Sequence, residues 1–267
     1  MSAPTYALRD STTMLRRQLR RTMRYPVTVA VVVVVPVVLL LLFVYVFGGT
    51  LGVGLDTGLG ASGARAGYVD YVVPGIILIA VAGAAQGAAI SVAMDMSEGI
   101  IARFRTMAIA RVSVLTGHVL SIMIQTILGV AIVIGVALLI GFRPTAGPVE
   151  WVAAFGLLAL ISLAIAWFSV ACGLVTKSVE AASNLPLPLI LLPFLGSGFV
   201  PTGSMPTVLR WFAEYQPFTP FIETLRGLLM GTPIGNNAPI ALAWCATITV
   251  VCYLWAKQLF NADPVAG

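Results

Sequence analysis

An all-α membrane protein with six transmembrane helices is the fold class this sequence predicts, and three observations predict it. Six stretches of 24 or more residues carry no Asp, Glu, Lys or Arg: those between Arg24 and Asp56, Asp70 and Asp95, Arg111 and Arg143, Glu150 and Lys177, Glu180 and Arg210, and Arg226 and Lys257. A hydrocarbon layer about 30 Å thick needs roughly 20 apolar residues to be crossed as a helix. Second, 59% of the residues are hydrophobic and 9% charged, too few polar side chains to solvate a globular surface of this size. Third, apolar runs of this length must close their backbone hydrogen bonds internally, and the strands of a barrel would be shorter and alternate.

The Lys and Arg residues give the orientation, because short cytoplasmic loops retain positive charge. Arg9, Arg16, Arg17, Arg20, Arg21 and Arg24, then Arg103, Arg105 and Arg111, then Lys177 and Lys257 fall on one side. Arg65, Arg143, Arg210 and Arg226 fall on the other. Both termini are therefore expected in the cytoplasm, and the net charge of +5 is expected to set topology; no nucleic-acid partner is expected. Arg outnumbers Lys and Ala, Val and Gly abound, which fits a GC-rich bacterial genome and a bacterial plasma membrane. The run from Pro26 is too long for a signal-peptide core and is expected to remain as an anchor. Cys172, Cys245 and Cys252 fall inside expected spans without a CxxC pair, and read as buried small hydrophobes.

Residues 1–24 pattern as an amphipathic helix on the inner leaflet, with Leu8, Leu15, Leu19 and Met23 on one face and Arg16, Arg17, Arg20, Arg21 and Arg24 beside it. A disordered basic tail that only sets topology is the alternative. Span one is expected over Val27–Phe47 with a kink at Pro36, followed by a Gly-rich loop, Gly48–Gly67. Span two is expected over Tyr71–Met94, where Ala80, Gly83, Gly87 and Ser91 form a small face suited to close helix packing. Spans three, four and six are expected at His118–Ile140, Trp151–Val175 and Pro239–Trp255. The fifth, Leu185–Phe199, carries Pro186, Pro188, Pro193, Gly196 and Gly198 and is expected to be short, bent and interrupted.

Residues 201–237 are too apolar for a solvated loop and too broken to cross. A helix starting near Ser204 and Pro206, with Val208, Leu209 and Phe212 on its apolar face, is expected to end at Gln216-Pro217-Phe218-Thr219-Pro220. A second, with Ile222, Leu225 and Leu229 on one side, is expected to close at Gly231-Thr232-Pro233. The pair reads as a re-entrant hairpin with Trp211, Tyr215 and Phe218 at the interface, or as two helices lying on the surface.

No expected span has an ionisable residue near its centre, which argues against a proton-coupled transporter working alone. Thr176-Lys177-Ser178 lacks the glycine of a phosphate-cradling loop, so no ATPase site and no bound cofactor or metal is expected in this chain. His118, the single histidine, is expected as an interfacial side chain. Gln86, Gln125, Asn184 and Ser169 are the main interior polar groups. Gln86, Gln125, Asn184 and Phe194 are candidate lining of a substrate path, the alternative for the polar ones being interhelical hydrogen bonds. In the loop 95–117, Ile100, Ile101, Phe104 and Met107 share a helical face beside Arg103 and Arg105, with Glu98 in the first turn. Such a helix can insert into a groove on a partner or lie at the membrane surface.

Four blocks resemble the permeases of ABC-2 type exporters, in particular the membrane subunits of doxorubicin and daunorubicin resistance exporters. They are Tyr25-Pro26 with the run to Tyr45-Val46-Phe47-Gly48-Gly49; Tyr68-Val69-Asp70-Tyr71-Val72-Val73-Pro74-Gly75-Ile76; Asp95 to Leu115 with Gly99-Ile100-Ile101, Arg103-Phe104-Arg105 and Ala110-Arg111; and Phe199-Val200-Pro201, Met205-Pro206, Gln216 to Pro220 and Leu225-Arg226-Gly227. Met107-Ala108-Ile109-Ala110 lacks the proline often found before the Ala-Arg pair. The resemblance implies an interface helix over 1–24, a six-span permease domain over 25–258 and a short cytoplasmic tail over 259–267. It also implies a coupling helix at Glu98–Met107, with Glu98, Gly99, Ile101, Arg103, Phe104 and Arg105 meeting a separate ATPase subunit that binds ATP and Mg. A second permease copy or a sister permease would complete the assembly among membrane lipids. The expected function is ATP-driven export of lipophilic drugs or lipids; a self-contained secondary transporter and a membrane-embedded lipid-modifying enzyme are the alternatives.

Overall fold

The computed structural model describes residues 26–53, 61–97, 111–176 and 178–261, and among these every regular element is helical. Five stretches are long and apolar enough to cross a membrane: Val33–Gly52, Arg65–Ser97, Leu115–Ile140, Pro148–Val175 and Asn237–Phe260. The basic segment 1–24 and the coupling residues Glu98, Gly99, Ile101, Arg103, Phe104 and Arg105 lie outside the described residues.

The first span is composite. Helix α1 (Pro26–Leu41) runs through Pro36, continues as a π-helical stretch over Leu42–Phe47, and resumes as α2 (Gly48–Val53). Helix α3 (Ala61–Ser97) begins ten residues before the expected start and contains Pro74. The expected Gly-rich loop is therefore largely helix at both of its ends. The intrinsic cost of glycine in a helix, about 1 kcal/mol each, is outweighed by packing: α2 lies along α3, and Gly48 sits against Arg65 and Tyr68.

Helix α4 (Arg111–Ile140) starts seven residues earlier than expected, and with Asp95–Ser97 in α3 it narrows the connecting segment to residues 98–110. Helix α5 (Pro148–Val175) opens with proline in its first turn and Glu150 beside it, both suited to a helix N-terminus. The broken span follows. Ser178 accepts a hydrogen bond from the Ala181 amide and starts α6 (Val179–Asn184). A five-residue α7 (Leu187–Leu191) then gives way to successive turns over residues 192–199, in line with the interruption expected from its prolines and glycines.

Helix α8 (Thr207–Tyr215) and α9 (Phe218–Met230) form the expected pair, and α9 ends on Gly231 at φ +69°, a left-handed position that favours glycine. The two helices differ sharply in burial. Most of α9 is enclosed, including Phe221, Ile222, Leu225 and Leu229, whereas α8 exposes Val208, Trp211 and Tyr215 and buries only Ala213. Phe218, expected at the interface, is buried beside Phe221 with ring centroids 6.0 Å apart. Its place at the start of α9, inside the bundle, decides that. Helix α10 (Asn237–Asn261) completes the described chain and packs along α5.

Helices α3 and α5 form the centre. Their crossing is closest at Gly173, where an added Cβ would lie 2.7 Å from the Ala89 carbonyl oxygen and 2.7 Å from Val92 Cβ. Helix α3 also meets the turn segment at Gly75, where a Cβ would lie 2.7 Å from Gly198 O. Gly83 and Gly87, the expected close-packing pair, instead have open space at their Cβ positions. Small residues do permit close approach here, but the spacing motif did not identify which ones. Cys172, Cys245 and Cys252 are buried and unpaired, as expected.

Two apolar clusters divide the bundle. One, near the α4–α5 connection at 141–147, joins Tyr68, Ile76 and Phe142 to Phe199, Phe221 and Leu225; the other, near the ends of α3 and α4 at 97 and 111, joins Val92, Leu115, Trp167, Val170 and Phe260.

Candidate functional site

At the 97–111 end, the chain places a carboxylate and an imidazole side by side within the second cluster. Asp95, two residues before the end of α3, is fully buried, and His118 on α4 is 5% exposed. Their Oδ2 and Nε2 atoms are 3.3 Å apart. His118 is thus an interior group, and the interfacial position expected for it is corrected: the earlier start of α4 carries it about two turns into the helix. An acid in the last turn of a helix faces the negative end of the helix dipole, and the His118 imidazole is one polar group set beside it there. The pair ties together the two helices from which segment 98–110 springs. Asp95→Ala, which removes the carboxylate beside His118, is expected to destabilise the fold by about 1–3 kcal/mol, read as a lower melting temperature of the purified protein. Asp95→Asn, which retains an acceptor, is expected to lose less.

The four candidate pathway residues do not form one lining. Gln86 on α3 donates from Nε2 to the Ser183 carbonyl at 2.9 Å, next to the exposed Asn184 at the end of α6. Gln125 donates to Ser121 Oγ at 2.9 Å within its own helix. Phe194 stacks on Phe199, centroids 4.5 Å and planes 5° apart, and both rings pack against Phe43 on the π-helical stretch. Ser169 is buried and donates to the Ile165 carbonyl at 2.7 Å. Gln86 makes the interhelical hydrogen bond of the alternative reading, whereas the Gln125 bond stays within its own helix.

At the 141–147 end lies a polar cluster that sequence reasoning missed. Arg226 on α9, assigned above only a topogenic role, is 6% exposed. Its Nη1 donates to Glu223 Oε1 at 2.6 Å, and its Nη2 to the carbonyls of Tyr71 at 3.0 Å and Ser197 at 2.8 Å. The guanidinium lies 3.8 Å from the centroid of the Tyr71 ring. The available signal was the Glu223 and Arg226 pair, three residues apart in an otherwise apolar helix. Nearby, Asp70 accepts from the Arg143 backbone amide at 3.1 Å, and the amides of Thr145 and Ala146 donate to the Leu229 carbonyl, closing the α4–α5 connection over the end of α9. Among the described residues, no group of His, Cys, Asp and Glu is arranged to hold a metal ion.

The sequence has known relatives. The sequence pattern of the ABC-2 type transporter family matches residues 10–230. The chain is 28% identical over 181 residues to the probable doxorubicin resistance ABC transporter permease protein DrrC of Mycobacterium tuberculosis, covering 68% of this chain and 66% of that protein. It is 26% identical over 167 residues to the daunorubicin resistance ABC transporter permease protein DrrB1 of Streptomyces coeruleorubidus, covering 62% and 59%. The match thus spans just under two thirds of these relatives' own length. With a family match over most of its length and five helices fit to cross a bilayer, the chain belongs to the ABC-2 type transporter family.

Proposed function

We propose that this chain is the permease subunit of an ATP-driven exporter of lipophilic molecules in a bacterial plasma membrane, with both termini in the cytoplasm. The observation that carries the reading is the family match across residues 10–230, which takes in the segment 98–110 and both α8 and α9. The permease names of the relatives support it. ATP and Mg would be bound by a separate ATPase subunit, and two permeases, identical or sister, would share the assembly.

In this reading the 97–111 end is cytoplasmic and the 141–147 end external. Residues 179–199 supply the sixth crossing, and non-helical backbone is tolerated at that depth because it is packed against protein and its carbonyls find donors. Helices α8 and α9 form the outer hairpin. The burial of α9 and the exposure of α8 favour a re-entrant role for α9, with the apolar side of α8 in the outer leaflet. Segment 98–107 is the coupling helix: Ile101 and Phe104 fill a groove on the ATPase while Glu98, Arg103 and Arg105 make polar contacts at its rim. Because the Asp95 and His118 pair joins α3 to α4, a push on the segment moves both helices. Gln86, Gln125, Asn184 and Phe194 are the proposed substrate-facing residues, and residues 1–24, with Arg16, Arg17, Arg20, Arg21 and Arg24, the interface helix.

Doxorubicin uptake by inside-out vesicles holding the chain and its ATPase tests the proposal. Uptake is expected to stop on ATP removal and to persist with a protonophore. Vesicles holding the chain alone are expected to show no uphill transport; if they accumulate the drug, the proposal fails.

A further inference from the structure

Four side chains from outside it converge on one short piece of backbone. Residues 192–199 follow α7 as turns, so their carbonyls lack regular helical partners. Leu192 O accepts from Gln216 Nε2 at 2.9 Å, and Ser197 O from Tyr71 Oη at 2.9 Å and Arg226 Nη2 at 2.8 Å. Phe199 O accepts from Tyr68 Oη at 3.4 Å. The backbone approach is equally close: a Cβ on Gly198 would lie 2.6 Å from Pro193 O, and one on Gly75 2.8 Å from Gly198 Cα.

We infer that Arg226 is a positioning residue that latches segment 192–199 to α3 and α9, and that this latch keeps Ser197 and its flanking glycines out of water. Gly196, Ser197 and Gly198 offer almost no apolar side-chain surface, so hydrophobic burial contributes little to holding them. Charge-assisted bonds from a planar fork do so instead. Arginine suits the task because one nitrogen serves carbonyls on two elements while another engages Glu223. The closure also has a standing cost. Arg226 Nε, Ser197 Oγ and Gln216 Oε1 are buried without hydrogen-bond partners, and entering water would satisfy them. That makes the segment a latch that water competes to open, in contrast to a sealed apolar core. The inference rests on contacts within this chain and is independent of what powers transport.

The test uses the full chain in lipid nanodiscs, where both faces meet water, with Ser197→Cys in a background of Cys172→Ala, Cys245→Ala and Cys252→Ala. The Ser197 hydroxyl has no partner, so the exchange to a thiol removes no bond. A charged, membrane-impermeant maleimide is expected to label this parent slowly. Adding Arg226→Met is expected to raise the labelling rate roughly tenfold or more, as befits loss of charge-assisted hydrogen bonds. Arg226→Lys, which keeps the charge near Glu223 without the fork, is expected to fall between, and Tyr71→Phe, which removes only one bond to Ser197 O, to give a smaller rise. Labelling of Arg226→Met and Arg226→Lys at the parent rate, in protein that elutes as the parent does, overturns the latch. If Arg226→Met does not fold, parent-rate labelling of both Arg226→Lys and Tyr71→Phe overturns it equally.

Discussion

Replacing Phe104 and Arg105 together by alanine is expected to abolish ATP-driven export and to release the ATPase subunit during purification. An aromatic and an arginine seated in a partner's groove are the residue types that anchor protein interfaces, each worth roughly 2 kcal/mol or more on truncation. Losing both would weaken the complex by a factor of about 100 or more. The fold itself should be spared, because segment 98–110 is the connection in sequence between α3 and α4. The informative result is therefore a divergence: normal yield and melting, with the ATPase gone from the eluate and uptake at background. Intact co-purification together with normal export would remove 98–107 as the coupling element.

Adding a single methyl at either of two glycines is expected to do the opposite, crippling the fold before any partner is involved. At Gly75 a Cβ would meet the backbone of Gly198 at 2.7 to 3.0 Å, and at Gly173 the Ala89 carbonyl and Val92 Cβ at 2.7 Å. Backbone cannot step aside as a side-chain tip can, so the helices must separate. Overpacking of this kind costs about 1–3 kcal/mol per site, and Gly75→Ala with Gly173→Ala acts on two different contacts of the central helix α3, so the losses should nearly add. Thermal unfolding and the yield of monodisperse protein report it. Gly83→Ala and Gly87→Ala serve as controls, since their Cβ positions are open; alanine there should be neutral to slightly stabilising through its better helix propensity. Equal damage from all four substitutions would show that the close contacts are not where the crossings put them.

These contrasts mark what the amino-acid order makes legible. The helical class, and five of the six expected spans, follow from the spacing of charges, because excluding Asp, Glu, Lys and Arg over more than 20 residues is a demand that lipid makes at every position. The interruption after Leu191 was readable from Pro193, Gly196 and Gly198, and the end of α9 from Gly231, because proline and glycine act locally. Ends set by packing were not readable. Helix α3 reaches back to Ala61 through glycines that propensity disfavours, and α4 reaches back to Arg111. The sites suffered from the same limit. His118 meets Asp95 23 residues away, and although Arg226 has Glu223 three residues away, its bond to the Tyr71 carbonyl crosses 155 residues. Charge counting sees such residues only as markers of sidedness, whereas burial turns them into joints. Phe194 and Phe199 were close in sequence, yet Phe43, which completes their ring cluster, comes from the first span.

The π-helical stretch Leu42–Phe47 explains why that first span can do two jobs. A π turn holds one more residue than an α turn, so everything beyond Phe47 is rotated by about 100° relative to an unbroken α-helix. Before it Leu40 and within it Val44 point into the bundle; after it, Gly48 is the residue that comes to rest on Tyr68, five positions from the Phe43 carbonyl. An ideal spiral would have presented bulkier Phe47 to that ring and pushed the span away. One surplus residue thus works as a phase shifter, letting a single rod keep the same neighbour on its inner side from Leu40 to Gly48.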